Sequence, residues 1–198
     1  DGRDGGAHLA DLELVLHESQ LREVLREQLV GLRSTRVFGR QEHEQRRFDE
    51  AERAAQRTIE LDPNSAGGHT QLGTIRDFLG QFEEALPFYT RAHRLDPQFD
   101  LALHFLGRTL LNLGRFDEAE IAFKRRLALA PRSDMTRFYL ACLYGRTGRH
   151  EEARRYWHEV FEVNPDFSID HFKRAMPYQD PAIIPRLIDG LREAGISL

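Results

Sequence analysis

Little in this chain invites covalent or redox chemistry. It holds a single cysteine, Cys142, which cannot close an internal disulfide, so nothing points to an oxidising compartment and the cytoplasm is the expected location. A basic excess is missing too. The 28 lysines and arginines face 32 acidic residues, a formal charge of −4, which argues against a phosphate-binding surface and against nucleic acid as a partner. No apolar run approaches the roughly 20 residues that span a bilayer, and the opening "DGRDGGAHLADLE" is acidic and glycine-rich where a signal peptide would be basic and then apolar. No membrane partner is expected, and the opening reads as a flexible linker on a piece of something longer.

Catalytic constellations are equally scarce. The pair His-Glu occurs at His17, His43, His150 and His158, but the residues four further on are Leu21, Arg47, Arg154 and Glu162, so the two-histidine zinc helix is absent. Scattered surface histidines, no metal and no cofactor are the expectation. "GRDGG" lacks the strand, lysine and helix of a phosphate loop, and Cys142 has no base beside it in sequence. The chain does not read as an enzyme. Charge runs such as "REVLREQ" and "EEARRYWHE" read as solvated helix faces with opposite charges three or four apart.

What is present is repetition. Pro63, Pro97, Pro131 and Pro165 stand 34 residues apart, and so do Ala51, Ala85, Ala119 and Ala153, Gly80, Gly114 and Gly148, and Leu72, Leu106 and Leu140. Four registers with one period define a repeat of one supersecondary unit. "LGTIRDFLGQFEEALPFYTRAHRLDP" and "LGRTLLNLGRFDEAEIAFKRRLALAP" resemble tetratricopeptide repeats. The resemblance covers residues 32–167 as four units, 32–65, 66–99, 100–133 and 134–167, each a helix A, a turn, a helix B and a proline-marked exit.

The residue types suit that plan. Leu72-Gly73 and Leu106-Gly107, with Leu140-Ala141 in the last unit, put a small residue where helix B crosses closely, and the repeated alanine answers from the other side. The glycine before each helix B supplies a left-handed turn. Tyr89, Phe123 and Trp157 are large side chains reaching toward the next unit. The first unit is the poorest match, lacks the turn glycine, and owes its helix A mainly to register. Pro87, inside a helix B, is expected to bend that helix slightly.

The resemblance implies an all-α fold, a right-handed α-solenoid of antiparallel helix pairs in which each unit is stabilised by its neighbours. Residues 1–8 are a leader, and residues 9–31 form a helix that packs on the array or leads into it. Residues 168–198 are read as a degenerate fifth repeat acting as a cap. Pro177 shortens its first helix, Asp180-Pro181 start the second, Gly195 ends it, and Ile184, Leu187, Ile188 and Leu191 share its packing face.

In this family the concave face is lined by helix A. Residue by residue, the resemblance assigns to it Thr70, Thr74, Asp77 and Phe78; Leu101, His104, Arg108, Leu111 and Asn112; and Met135, Phe138, Cys142 and Arg146. Thr70 and Thr74 occupy the slots that hold lysine and asparagine in carboxylate-clamp members, so a chaperone C-terminus is not the expected ligand. The implied function is a protein–protein interaction scaffold that takes a protein or peptide segment in the groove. Leu101, Met135 and Phe138 would be apolar anchors, with Arg108 and Arg146 meeting acidic groups. Self-association of the array is open.

Residues 164–196 also resemble the closing segment of tetratricopeptide arrays in bacterial signalling proteins, those attached to class III nucleotide cyclases and to winged-helix regulators. The likeness rests on Asn164-Pro165, Met176-Pro177-Tyr178, Asp180-Pro181 and "GLREAG". It implies a second reading, a regulatory or assembly domain of a multidomain signalling enzyme or transcription regulator, with no chemistry of its own.

Overall fold

The computed structural model describes residues 37–176 and 178–197, with side chains from residue 46 onward. The leader and the helix expected over 9–31 lie outside the described residues. Within them the chain is helical throughout: α1 Val37–Leu61, α2 Ala66–Phe78, α3 Phe82–Leu95, α4 Asp100–Asn112, α5 Phe116–Leu129, α6 Asp134–Arg146, α7 His150–Val163, α8 Ile169–Ala175 and α9 Ile183–Glu193. Successive helices from α1 to α7 pack as antiparallel neighbours, which makes an all-α solenoid.

Local chemistry sets the element ends. Ser65, Ser133 and Ser168 cap α2, α6 and α8, each hydroxyl accepting from the backbone N–H three residues on at 3.1–3.2 Å. Gly80, Gly114 and Gly148 take φ of +79°, +75° and +73°, and each turns the chain from a helix A into a helix B. The B helices α3, α5 and α7 have no side-chain cap, and open instead on Glu83-Glu84, Asp117-Glu118 and Glu151-Glu152, acids that suit the positive helix end.

Small residues meet large ones at the crossings. Ala85, Ala119 and Ala153 are fully buried. A Cβ on Gly73 would stand 2.7 Å from the Tyr89 ring, and one on Gly107 2.6 Å from the Phe123 ring, so each aromatic lies flat on a glycine of its own repeat. The other side of each ring carries the next repeat: Tyr89 stacks on Phe105 at 5.9 Å and Phe123 on Tyr139 at 5.6 Å between centroids. This alternation passes the core from one unit to the next.

The first unit departs from the expected helix–turn–helix. Its described part is one uninterrupted helix of 25 residues. Arg46 stands 34 residues before Gly80, and a side chain at that position disfavours the left-handed turn, so the helix runs on. Its second half still packs in register, with Ala55 buried against Leu72 and Ile75 of α2.

The C-terminal part also departs from the plan. The seven-residue α8 follows α7 as a shortened helix A, with Phe172 4.8 Å from Phe138 and 6.1 Å from Tyr139. The next helix begins at Ile183, two residues beyond Pro181, while the Asp180 carboxylate accepts from the Ala182 N–H at 2.8 Å in the turn before it. Ile184, Leu187, Ile188 and Leu191 are buried on one face of α9, as the sequence pattern predicts. That face lies chiefly on α6, so the last helix doubles back onto the array. The Arg154 guanidinium of α7 donates to the Ala194 carbonyl at 2.7 Å and pins the end of α9.

Ala119→Arg forces a long charged chain into a crossing with no exposed surface, and should cost about 3 kcal/mol or more in thermal or chemical unfolding. Unchanged melting would show the repeat register to be wrong.

Candidate functional site

Helices α2, α4 and α6 present the residues assigned to the concave face, and most are not open to a ligand. Thr70, Thr74, Asp77, Phe78, Leu101, Arg108, Leu111, Phe138 and Cys142 are buried, while His104, Asn112, Met135 and Arg146 are partly so. A crevice beside Thr70, Thr74 and Leu101 measures about 10 Å³, scarcely room for one water.

The centre of this face is an ion pair. Asp77 of α2 accepts from the Arg108 guanidinium of α4, and its other oxygen accepts from the Thr109 hydroxyl at 2.5 Å. Both charged side chains are almost wholly buried, Arg108 at 2% and Asp77 at 0% exposure. Burial pushes the Asp77 carboxyl above its ordinary value, against the pull of Arg108 and Thr109. Burial also opposes the Arg108 charge, but Asp77 and the surrounding tyrosines overcome it and hold the guanidinium well above its ordinary value. The guanidinium carbon sits 5.0 Å from the Phe78 ring, 4.8 Å from Phe105 and 5.5 Å from Tyr178.

Tyr178 belongs to the C-terminal segment, and its presence explains why the groove is closed. Between α8 and α9 the chain crosses the inner face to the end of α2. There the Gln179 N–H donates to the Phe78 carbonyl at 3.2 Å and the Tyr178 ring meets Phe78 edge-on at 5.4 Å. Then α9 returns along α6. A Cβ on Gly145 would overlap the Gly190 carbonyl, and one on Gly190 would overlap the Cys142 carbonyl, so the two backbones touch where both helices carry glycine. The chain fills its own concave face.

The sequence reading brought Asp77 and Arg108 to one face but paired Arg108 with a partner's acid instead of its own. The contact of Tyr178 with Arg108 and the meeting of Gly145 with Gly190 are not legible in the repeat pattern. A glycine inside each of two helical patterns was the available signal, since it marks close backbone approach. Cys142 is fully buried beneath α9, and burial pushes its thiol far up, which disfavours the reactive thiolate. Among the described residues no group of three His, Cys, Asp or Glu side chains could hold a metal ion, and no helix is long and apolar enough to cross a membrane.

A stack of helix pairs joined by left-handed glycine turns, with aromatics seated on glycines, defines a repeat scaffold for protein–protein interaction. Tetratricopeptide repeat profiles match residues 36–98, 79–141 and 139–164. The chain belongs to the tetratricopeptide repeat proteins. A crystal structure of MamA superposes with a TM-score of 0.58 at 20% identity, covering 81% of this chain and 94% of that one, a likeness of fold alone. The MamA structure labelled MSR-1 is 29% identical with a TM-score of 0.52, covering 60% of this chain and 68% of that one. Putative adenylate cyclase 3 of Rhizobium meliloti (strain 1021) is 76% identical over 46 residues, which are 23% of this chain and 8% of that protein. The match therefore spans a small part of that relative's length.

Arg108→Leu strands the Asp77 carboxylate and should lower stability by about 3–5 kcal/mol. Asp77→Leu/Arg108→Leu together should recover most of that loss in denaturant titrations; a double variant as unstable as the single one would show that the pair is not the source. Separately, deleting residues 178–198 should make Cys142 react with a maleimide at the rate of an exposed thiol. A thiol still inert in the folded, truncated chain would mean that α9 is not its cover.

Proposed function

We propose that this chain is the assembly or regulatory part of a larger bacterial signalling protein of the nucleotide-cyclase kind, working in the cytoplasm and carrying no chemistry of its own. The observation that carries this reading is the filled concave face. A scaffold that captures a free segment offers an open groove, whereas here Arg108 is neutralised by Asp77 and roofed by Tyr178, and α9 lies over Cys142. An array packed in this way is suited to holding domains in place or passing a displacement along its stack.

The 76% identity over 46 residues with a putative adenylate cyclase supports the same reading, as does the likeness of residues 164–196 to the ends of arrays in signalling proteins. Groove capture by Leu101, Met135, Phe138, Arg108 and Arg146 requires the C-terminal segment to lift first. It is therefore the dependent reading: the free energy of binding would be reduced by that of undocking α9 and Tyr178.

The test starts from the intact gene product that contains these residues. It should convert ATP to cyclic AMP, residues 1–198 alone should not, and Ala119→Arg in the array should change turnover several-fold. An open reading frame with no catalytic domain, or turnover indifferent to disruption of the array, would overturn the reading.

A further inference from the structure

The repeat register allows one interval between B helices to be compared with the next, and they differ. Between α5 and α7, above α6, the space is filled by the chain itself. The Tyr144 hydroxyl donates to Glu120 at 2.9 Å, Arg149 reaches the same carboxylate at 2.8 Å, and Arg137 pairs with Glu159 at 3.2 Å. Tyr156 stacks on Tyr144 at 5.4 Å. Between α1 and α3, above α2, Arg76 pairs with Glu52.

The interval between α3 and α5, above α4, has none of these plugs. Leu86 stands where its neighbours have Glu52 and Glu120, Leu110 where they have Arg76 and Tyr144, Leu103 in place of Arg137, and Ala122 in place of Tyr156. What remains is a cleft of about 520 Å³ on the convex side, floored by Leu103, Leu106 and Leu110 and walled by Leu86 and Ile121. Ile121 is 53% exposed, a large aliphatic side chain at the lip. Pro87 lines the wall of α3 at this cleft.

The rim is cationic. Arg115 is neutralised by Glu118 through two contacts of 2.7 Å. Arg94 and Arg125 are exposed and have no ion-pair partner among the described residues. Arg125 occupies the slot of Glu159, the acid that closes the next interval by pairing with Arg137, so the exchange both opens the floor and reverses the charge. In a chain of net charge −4, two unpaired cations flank an apolar floor.

We propose that the cleft between α3 and α5 is a docking site for an acidic, leucine-faced helical segment of a partner protein. The wall from Pro87 to Arg94 rises about 11 Å, two helical turns, and matches anchors spaced i, i+3 or i+4 and i+7. Carboxylates on the flanks of such a helix meet Arg94 and Arg125, while its leucines cover Leu106, Leu110 and Ile121. The site lies on the face opposite the self-filled groove and works without any movement of α9.

The probe is a synthetic peptide of about 18 residues, five turns of alanine and glutamate with leucine at those spacings, titrated by fluorescence anisotropy against the intact chain. Binding should weaken at least tenfold in Arg94→Glu/Arg125→Glu and about fivefold in Ile121→Asp, all solvent-facing changes that leave circular dichroism and melting unaltered. It should also fall as salt rises above about 0.1 M, where the screening length drops below about 10 Å. A lysine-for-glutamate peptide should not bind. Equal binding by both variants, equal binding of the lysine peptide, or no binding at all would overturn the proposal. Two other occupants would also overturn it. A second copy would appear as wild-type self-association in sedimentation that Arg94→Glu/Arg125→Glu abolishes; the chain's own N-terminal segment would appear as a synthetic 9–30 peptide outcompeting the probe.

Discussion

A guanidinium with almost no access to water must have its charge answered inside the protein, and Arg108 is answered from three directions. Asp77 in the preceding repeat supplies the countercharge, Phe78 and Phe105 supply ring faces, and Tyr178 is brought from 70 residues further along the chain. Removing one partner of such a pair leaves a buried charge that the protein cannot solvate, so α2, α4 and the C-terminal segment hold one another in a single arrangement. The closed inner face, the crossing of the chain between α8 and α9, and the return of α9 along α6 all follow from that constraint.

The return is possible because α6 and α9 each carry a glycine at the point of contact. A side chain at Gly145 or Gly190 would separate the helices and lift the apolar face of α9 from α6. In the earlier helices A, glycine sits instead at Gly73 and Gly107, under an aromatic of the same repeat. One residue type thus serves two purposes at different places in the helix. Under Tyr89 and Phe123 it lets a unit pack on itself and offer a flat ring to the next; at Gly145 it lets the stack be covered from inside.

Equivalent positions with different side chains also shape the convex surface. Polar pairs close the intervals on either side of α3–α5, whereas leucine and alanine leave the middle one open, with Arg94 and Arg125 unpaired among the described residues and Arg115 paired with Glu118 and Glu83 at its edge. A repeat protein can place function in this way without altering its backbone. The scaffold is set by the small, large and turn positions, and the positions between them are free to differ from unit to unit.

The period, the turn glycines, the capping serines and the small-over-large crossings are properties of nearest neighbours in space that are also near in sequence. The sequence alone therefore determined the solenoid and the apolar face of the last helix. It did not determine the first unit's unbroken helix, because the loss of one glycine at Arg46 changes a turn into a continuation without disturbing the apolar pattern. Nor did it determine where α9 docks: Ile184, Leu187, Ile188 and Leu191 demand burial, but would be satisfied by any complementary surface. Docking on α6 was set by contacts far apart in the chain, the Gly145–Gly190 approach and the packing of Tyr178 against Arg108 and Phe78. Hydrophobic patterning is non-directional, and only the assembled tertiary structure supplies a direction.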